Sequence, residues 1–440
     1  MKKFVVAAAA LLAAACGGEP KSAPAAEDAP APDAHISIIG ADDIAERFVK
    51  LALALGQHDA AYVDAYAGPP EWANEAKANK RPLDEMETQA RDLLEALDVL
   101  EGDGADPRER GLKNLTTAAL TRIRMAKGER LAFDEEARLI YGVTPPAYSL
   151  ADFDAALAEI DAMLPGEGSL AERYKAFRDK VVIPADKLQA VLDAAIAECK
   201  QRTLAHYDLP EGEKFILRFV TDKPWSGYNW YQGGYESVIE INTDLPIHID
   251  RAVDLGCHEG YPGHHVWNLM VDRDLRRAKG WVEYSILPLF SPQALIGEGS
   301  ANYGIDLAFP GAEKLDFEQR VLFPLAGLDP KDAAINDELN RLRRKLSHAR
   351  NSIARDYLDG RIDRAAAIAM IEKYELETPE AANKRVDFID GYRAYVINYN
   401  LGRDLVEAYV DRKVAAGEDP WTAFAAILTS PDAVGALTAN

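Results

Sequence analysis

The chain has 440 residues, with 50 basic and 72 acidic side chains and a net charge of −22. That is long enough for one large or two ordinary domains with an ample core. Such a surface repels phosphate backbones, so nucleic acid is excluded as an expected partner.

The first element is an export signal. "MKKFVVAAAALLAAACGGEP" has Lys2 and Lys3, then an apolar stretch over residues 4–15, then small residues and Cys16. The stretch is too short to span a bilayer comfortably. The pattern resembles a bacterial lipoprotein signal, although the usual Leu falls one place early, at Leu12. Residues 1–15 are expected to be removed and Cys16 to carry lipid. That would place the protein in the periplasm, held to the bilayer by its N-terminal lipid alone. Residues 16–37, rich in Pro, Ala and acid, are expected to be a disordered tether. The body, 38–440, shows no second long apolar run.

From about residue 38 the pattern is helical. Ile44, Phe48, Leu51 and Leu55 form one stripe. Residues 84–100 and 150–163 read the same way. Of the remaining cysteines, Cys199 and Cys257, two buried free thiols are the expected reading, with pairing in an oxidising compartment as the alternative. A strand is predicted at about 236–242, partnered near 214–220. Pro246 ends it, and a helix should begin near Ile249. The aromatic run Trp225, Tyr228, Trp230, Tyr231 and Tyr235 reads either as a substrate wall or as core. Further on, Ile335, Leu339, Leu342, Leu346 and Ile353 fit one face of a single long helix. Thr378 should cap another, with Pro379 in its first turn and Glu380 complementing its dipole. The fold class that follows is mainly α: a large helical body with a small sheet beside the histidine-bearing segment.

Chemistry concentrates in "LGCHEGYPGHHVWN", residues 255–268, which holds three of the eight histidines. It begins like the zinc-protease pattern H-E-x-x-H, where two His one turn apart bind metal and the Glu acts as base. Here Pro262 stands at the second ligand's place. On a regular helix His265 would share the face of His258 but lie ~10 Å along the axis, at ~1.5 Å per residue. A single zinc with bonds of roughly 2 Å is hard to reach from both. Pro262 breaks that regularity, because its ring clashes with the carbonyl of His258. With Gly263 it can loop two residues out and bring His264 to the ligand position. His264 is the preferred second ligand. His265 is the rival, or a group on the substrate side. Glu298, in a predicted helix among Gly297, Gly299 and Ser300, is the candidate third ligand. Glu259 is the candidate general base. Cys257 is read as packing.

"HEGYPGHH" resembles the signature of the domain of unknown function 885 family, which is placed among zincin-like metallopeptidases. "EGSANY" (298–303) and "GYRAYVINYNLG" (391–402) are similar to two further segments of that family. The resemblance implies a mostly helical zincin-like fold. It implies His258, His264 and Glu298 as zinc ligands and Glu259 as base. Ser300 stands where the family usually has Trp, and Trp267 where Gln is common, so the substrate pocket differs. Candidate stabilisers of a developing oxyanion are Tyr399, Tyr395, Arg393 and His265. The expected activity is zinc-dependent hydrolysis of peptides. A zinc hydrolase of non-peptide amides and a non-catalytic ligand-binding lipoprotein are the alternatives.

Overall fold

The Ile44–Phe48–Leu51–Leu55 stripe is fully buried along one helix, Ala41–Leu55. Burying each such side chain stabilises the fold by about 1.5–3 kcal/mol. The computed structural model describes residues 40–101, 106–223 and 227–439. The signal segment, Cys16, the tether and Trp225 lie outside the described residues. Helix takes 67% and strand 8%, so the expectation of a mainly-α fold holds. Among the described residues no helix is long and apolar enough to cross a membrane.

Among the described residues five short strands make two sheets. β1 (Val63–Tyr66), β2 (Lys214–Val220), β3 (Gly227–Gly233), β4 (Glu236–Asn242) and β5 (Ile286–Pro288) follow in chain order. β4 is central. It pairs in parallel with β2 and antiparallel with β3, in the order β2-β4-β3. The strands predicted at 214–220 and 236–242 are thus present and paired. β3 comes from the aromatic stretch, where Gly residues mask the alternation. β1 and β5 form a separate antiparallel pair.

Two sequence readings are corrected. The stripe from Ile335 to Ile353 is not one helix. It is split into Asp332–Leu346 and Ala349–Leu358. At the break the Ser347 hydroxyl donates to the Arg344 carbonyl at 2.8 Å, and His348 stacks on Tyr148 with its Nε2 2.8 Å from Asp404. The Ser347 hydroxyl thereby satisfies one of the carbonyls that a helix end leaves without a partner. Ile335, at 37% exposure, falls off the buried face. By contrast, the Thr378 cap is formed, accepting from the Ala381 amide at 3.3 Å.

The second correction concerns the thiols. Cys199 and Cys257 are joined in a disulfide, with their Cα atoms 5.4 Å apart. That bond fastens the Leu188–Leu204 helix to the segment carrying His258. The two cysteines are 58 residues apart in sequence, and nothing local in the chain announces their meeting. Closing a loop of 58 residues removes about 4 kcal/mol of chain entropy from the unfolded state. A urea titration should therefore show a fall of that order on adding reductant. An unchanged midpoint would mean that the bond does not form in the protein.

Candidate metal centre

The segment Asp250–Gly260 begins as an ordinary helix and widens into a π-helical turn over Leu255–Gly260. Wide turns of this kind recur at functional sites. The Tyr261–Pro262 bond is cis, and His264 opens the next helix, His264–Met270. Gly263 lies between. A Cβ placed on it would sit 1.9 Å from the His258 carbonyl oxygen and 2.4 Å from that of Cys257. Only glycine fits there, and its amide donates to the Cys257 carbonyl at 2.9 Å. The two additional residues are absorbed by this break.

The break brings the His258 and His264 rings to 4.7 Å, nearly perpendicular. Glu298 reaches them from the helix Pro292–Ala308. This helix crosses the helix Ile397–Ala415 closely, since a Cβ on Gly299 would lie 2.5 Å from the backbone of Gly402. Glu298 Oε2 is 3.4 Å from His258 Nε2 and 3.7 Å from His264 Nε2. It is buried without a hydrogen-bond partner among the described residues. These separations are long for hydrogen bonds. They are close to the ~3.3 Å edge of a tetrahedron whose metal bonds are about 2.0–2.1 Å. The three ligand atoms all lie within 4.8 Å of one another. Two imidazoles and a carboxylate are a donor set suited to zinc, so the residues present fit the ion.

Neighbouring residues orient these groups. Tyr395 donates its hydroxyl to Glu298 Oε1 at 2.8 Å, leaving Oε2 for the centre. Asn302 lies one helical turn beyond Glu298. It donates through Nδ2 to the Tyr399 carbonyl at 2.9 Å, so its Oδ1, 3.1 Å from His258 Nδ1, is an acceptor. That arrangement puts the His258 proton on Nδ1 and the Nε2 lone pair toward Glu298. Burial alone would raise the Glu298 carboxyl, but His258 and His264 outweigh it and hold it well below the usual carboxylate range. Burial opposes a charge on His258, yet Glu298 and then Glu259 raise its affinity for a proton.

Glu259 is buried beside His258 and faces the start of β3, where a Cβ on Gly227 would lie 3.2 Å from its Oε1. Its backbone carbonyl accepts from Asn229 Nδ2 at 2.8 Å, which ties the base to β3. Its carboxylate makes no hydrogen bond to the described residues.

His265 lies elsewhere. It is fully buried, with Nδ1 2.8 Å from Ser237 Oγ and Nε2 2.8 Å from Glu213 Oε2. Tyr261 and Lys200 also bind Glu213. Burial would raise the Glu213 carboxyl, but His265, Lys200 and Tyr261 hold it down at about 2. His265 therefore bolts the interrupted helix to β4 and does not face the ligand atoms. Arg393 is also placed away from the predicted role. The buried carboxylate of Glu136 takes its guanidinium at 2.6 Å, and the Leu131 carbonyl accepts from it at 3.2 Å. Tyr399 is half-buried, and its hydroxyl makes no hydrogen bond to the described residues. Burial, followed by Glu298, raises its pKa well above the ordinary value.

No protein-family model and no curated protein matches the chain. A solved structure, "the putative lipoprotein from Colwellia psychrerythraea", is similar at a TM-score of 0.54 and 13% identity, over 90% of this chain and 74% of that one. At this identity the likeness shows the fold alone.

Sequence reasoning missed Asn302 and Asp64. Asn302 could have been found, since it lies four residues after Glu298 on the same helix face. Asp64, on β1, carried no local signal. Burial pushes its pKa up to about 7, with His264 opposing and Glu298 and Glu259 reinforcing. The Tyr228 hydroxyl donates to it. Of the other aromatic candidates, Tyr231 donates to Asp272 at 2.8 Å and Trp230 to Glu240 at 3.0 Å.

Proposed function

We propose that the protein is a zinc-dependent hydrolase of peptide bonds, exported and tethered to a membrane through lipid on Cys16. The observation that carries the reading is the buried, unpartnered Glu298 Oε2 facing the Nε2 atoms of His258 and His264, with Glu259 alongside. The resemblance of "HEGYPGHH" and "EGSANY" to a zincin-like family supports it. The fold likeness to a protein described as a "putative lipoprotein" supports the tether.

His258, His264 and Glu298 would hold the ion. When bound, it supplies a Lewis acid and lowers the pKa of a water to about 7. Glu259 accepts a proton on its free carboxylate and returns it to the leaving amine. Tyr395 and Asn302 keep Glu298 and His258 in their binding orientations. The Tyr399 hydroxyl, which makes no hydrogen bond to the described residues, can donate to the oxygen where negative charge develops. β3 is an edge strand beside the base, so an extended peptide can add to it.

Purified mature protein dialysed with zinc should retain about one ion per chain, as a three-ligand site implies. A chelator should remove the ion and the hydrolysis of a peptide library together. Protein that stays metal-free in excess zinc would sink the reading.

A further inference from the structure

The residues that flank the two candidate histidine ligands are both fastened to one helix. Cys257, just before His258, is joined to Cys199 of the helix Leu188–Leu204. His265, just after His264, has Nε2 2.8 Å from Glu213 Oε2, and Glu213 pairs with Lys200 of the same helix. Cys199 and Lys200 are consecutive. The Lys200 ammonium also lies 5.0 Å from the ring centre of Tyr261, whose hydroxyl donates to Glu213 at 2.7 Å. The helix presses on the backbone of the wide turn as well. A Cβ on Gly256 would lie 3.2 Å from the Ala195 carbonyl carbon and 3.2 Å from the Ile196 nitrogen.

The two fasteners differ in kind. The one through Glu213 is made of charges and hydrogen bonds and needs no oxidant. The one at Cys257 exists only when both thiols are oxidised. Cys257 also carries the wedge that presents His264, since its carbonyl accepts from the Gly263 amide at 2.9 Å. Glu298 comes from a separate helix, Pro292–Ala308. The imidazole pair must therefore be held as a unit against it, and Cys257 is where that unit is fixed covalently. Residues that hold metal ligands from behind are worth roughly 10–100-fold in metal affinity. Both cysteines are fully buried, so the bond is shielded once the chain has folded around it.

We propose that oxidation of Cys199 and Cys257 tightens the metal centre, so that the reduced chain folds but holds zinc weakly. Closing the bond takes two protons and two electrons from the thiols. The acceptor is the disulfide of a thiol oxidant, which leaves as two thiols. Such oxidants act in exported compartments, while the cytosol keeps thiols reduced. A hydrolase made inside the cell would then stay short of its metal until it is outside. The inference rests on the exported zinc-hydrolase reading and adds its regulation. Cys199 and Lys200 act here as positioning residues. The Glu213 fastener survives reduction, so the hold that is lost is chiefly the one on His258.

The test is zinc affinity, read by competition with a chromophoric chelator on metal-free protein in its oxidised form and after reduction by a phosphine. Far-UV circular dichroism of each sample reports the fold. The oxidised form should bind zinc roughly 10–100-fold more tightly. Cys199→Ala should match the reduced form and be indifferent to the phosphine. If that variant does not fold, the reciprocal measurement on wild-type protein takes its place. In glutathione buffers the disulfide should withstand at least about tenfold more reducing conditions with zinc than without, because coupling between two equilibria is mutual. Equal zinc affinity in the two redox forms, a disulfide indifferent to zinc, or a reduced chain that unfolds outright would overturn the proposal. The first two outcomes leave a zinc hydrolase with an ordinary structural bond. An oxidised protein that binds no zinc would instead remove the hydrolase reading, and this inference with it.

Discussion

Replacing Glu259 with glutamine is expected to lower peptide hydrolysis by roughly 10²–10⁴-fold, the usual contribution of a positioned acid–base group. Zinc content should stay the same. The change removes proton affinity and keeps shape, and Glu259 is not among the three residues whose donor atoms converge. Its carboxylate makes no hydrogen bond to the described residues, so the fold should tolerate the amide. The informative measurement is kcat on a peptide library beside metal analysis of the same preparation. Full activity in the variant would remove Glu259 from the mechanism. Loss of metal with loss of activity would instead make it a ligand.

The second large effect separates neighbouring histidines. His264→Ala should cut zinc affinity by more than the roughly 10–100-fold typical when a residue that only supports a ligand is changed. His265→Ala should leave the ion in place but destabilise the protein by about 1–3 kcal/mol, since Glu213 and Ser237 lose a buried partner. Competition with a chromophoric chelator reads the first, and urea unfolding of the metal-free proteins reads the second. If His265→Ala loses zinc while His264→Ala keeps it, the assignment of the centre is reversed.

These residues were legible in the sequence to different degrees. His258, Glu259 and the Pro-Gly interruption are local, and local sterics indicate that the helix must break after Tyr261. Which histidine the break presents is not local. Two candidates one residue apart point about 100° apart on a helix, and the carbonyl contacts of Gly263 decide between them. Glu298 was found through its small neighbours, and Gly299 does pack against Gly402. Asp64 was illegible, because "VDAY" becomes a strand only through β5, more than 200 residues later. The disulfide and the Arg393–Glu136 pair are hidden for the same reason, with partners 58 and 257 residues away. The split helix at Ser347–His348 went unseen because hydrophobic spacing continues through it. The contacts that stop it come from Tyr148 and Asp404.

The glycine wedged against the carbonyls of Cys257 and His258 bears on how an ion is captured. The five residues between His258 and His264 do not hang as a slack loop that metal must gather. They are a rigid spacer, set when the backbone folds. The entropy of bringing the imidazoles together is then lost during folding, before any ion arrives. Capture of the ion becomes chiefly an exchange of its water shell for ligands already in place.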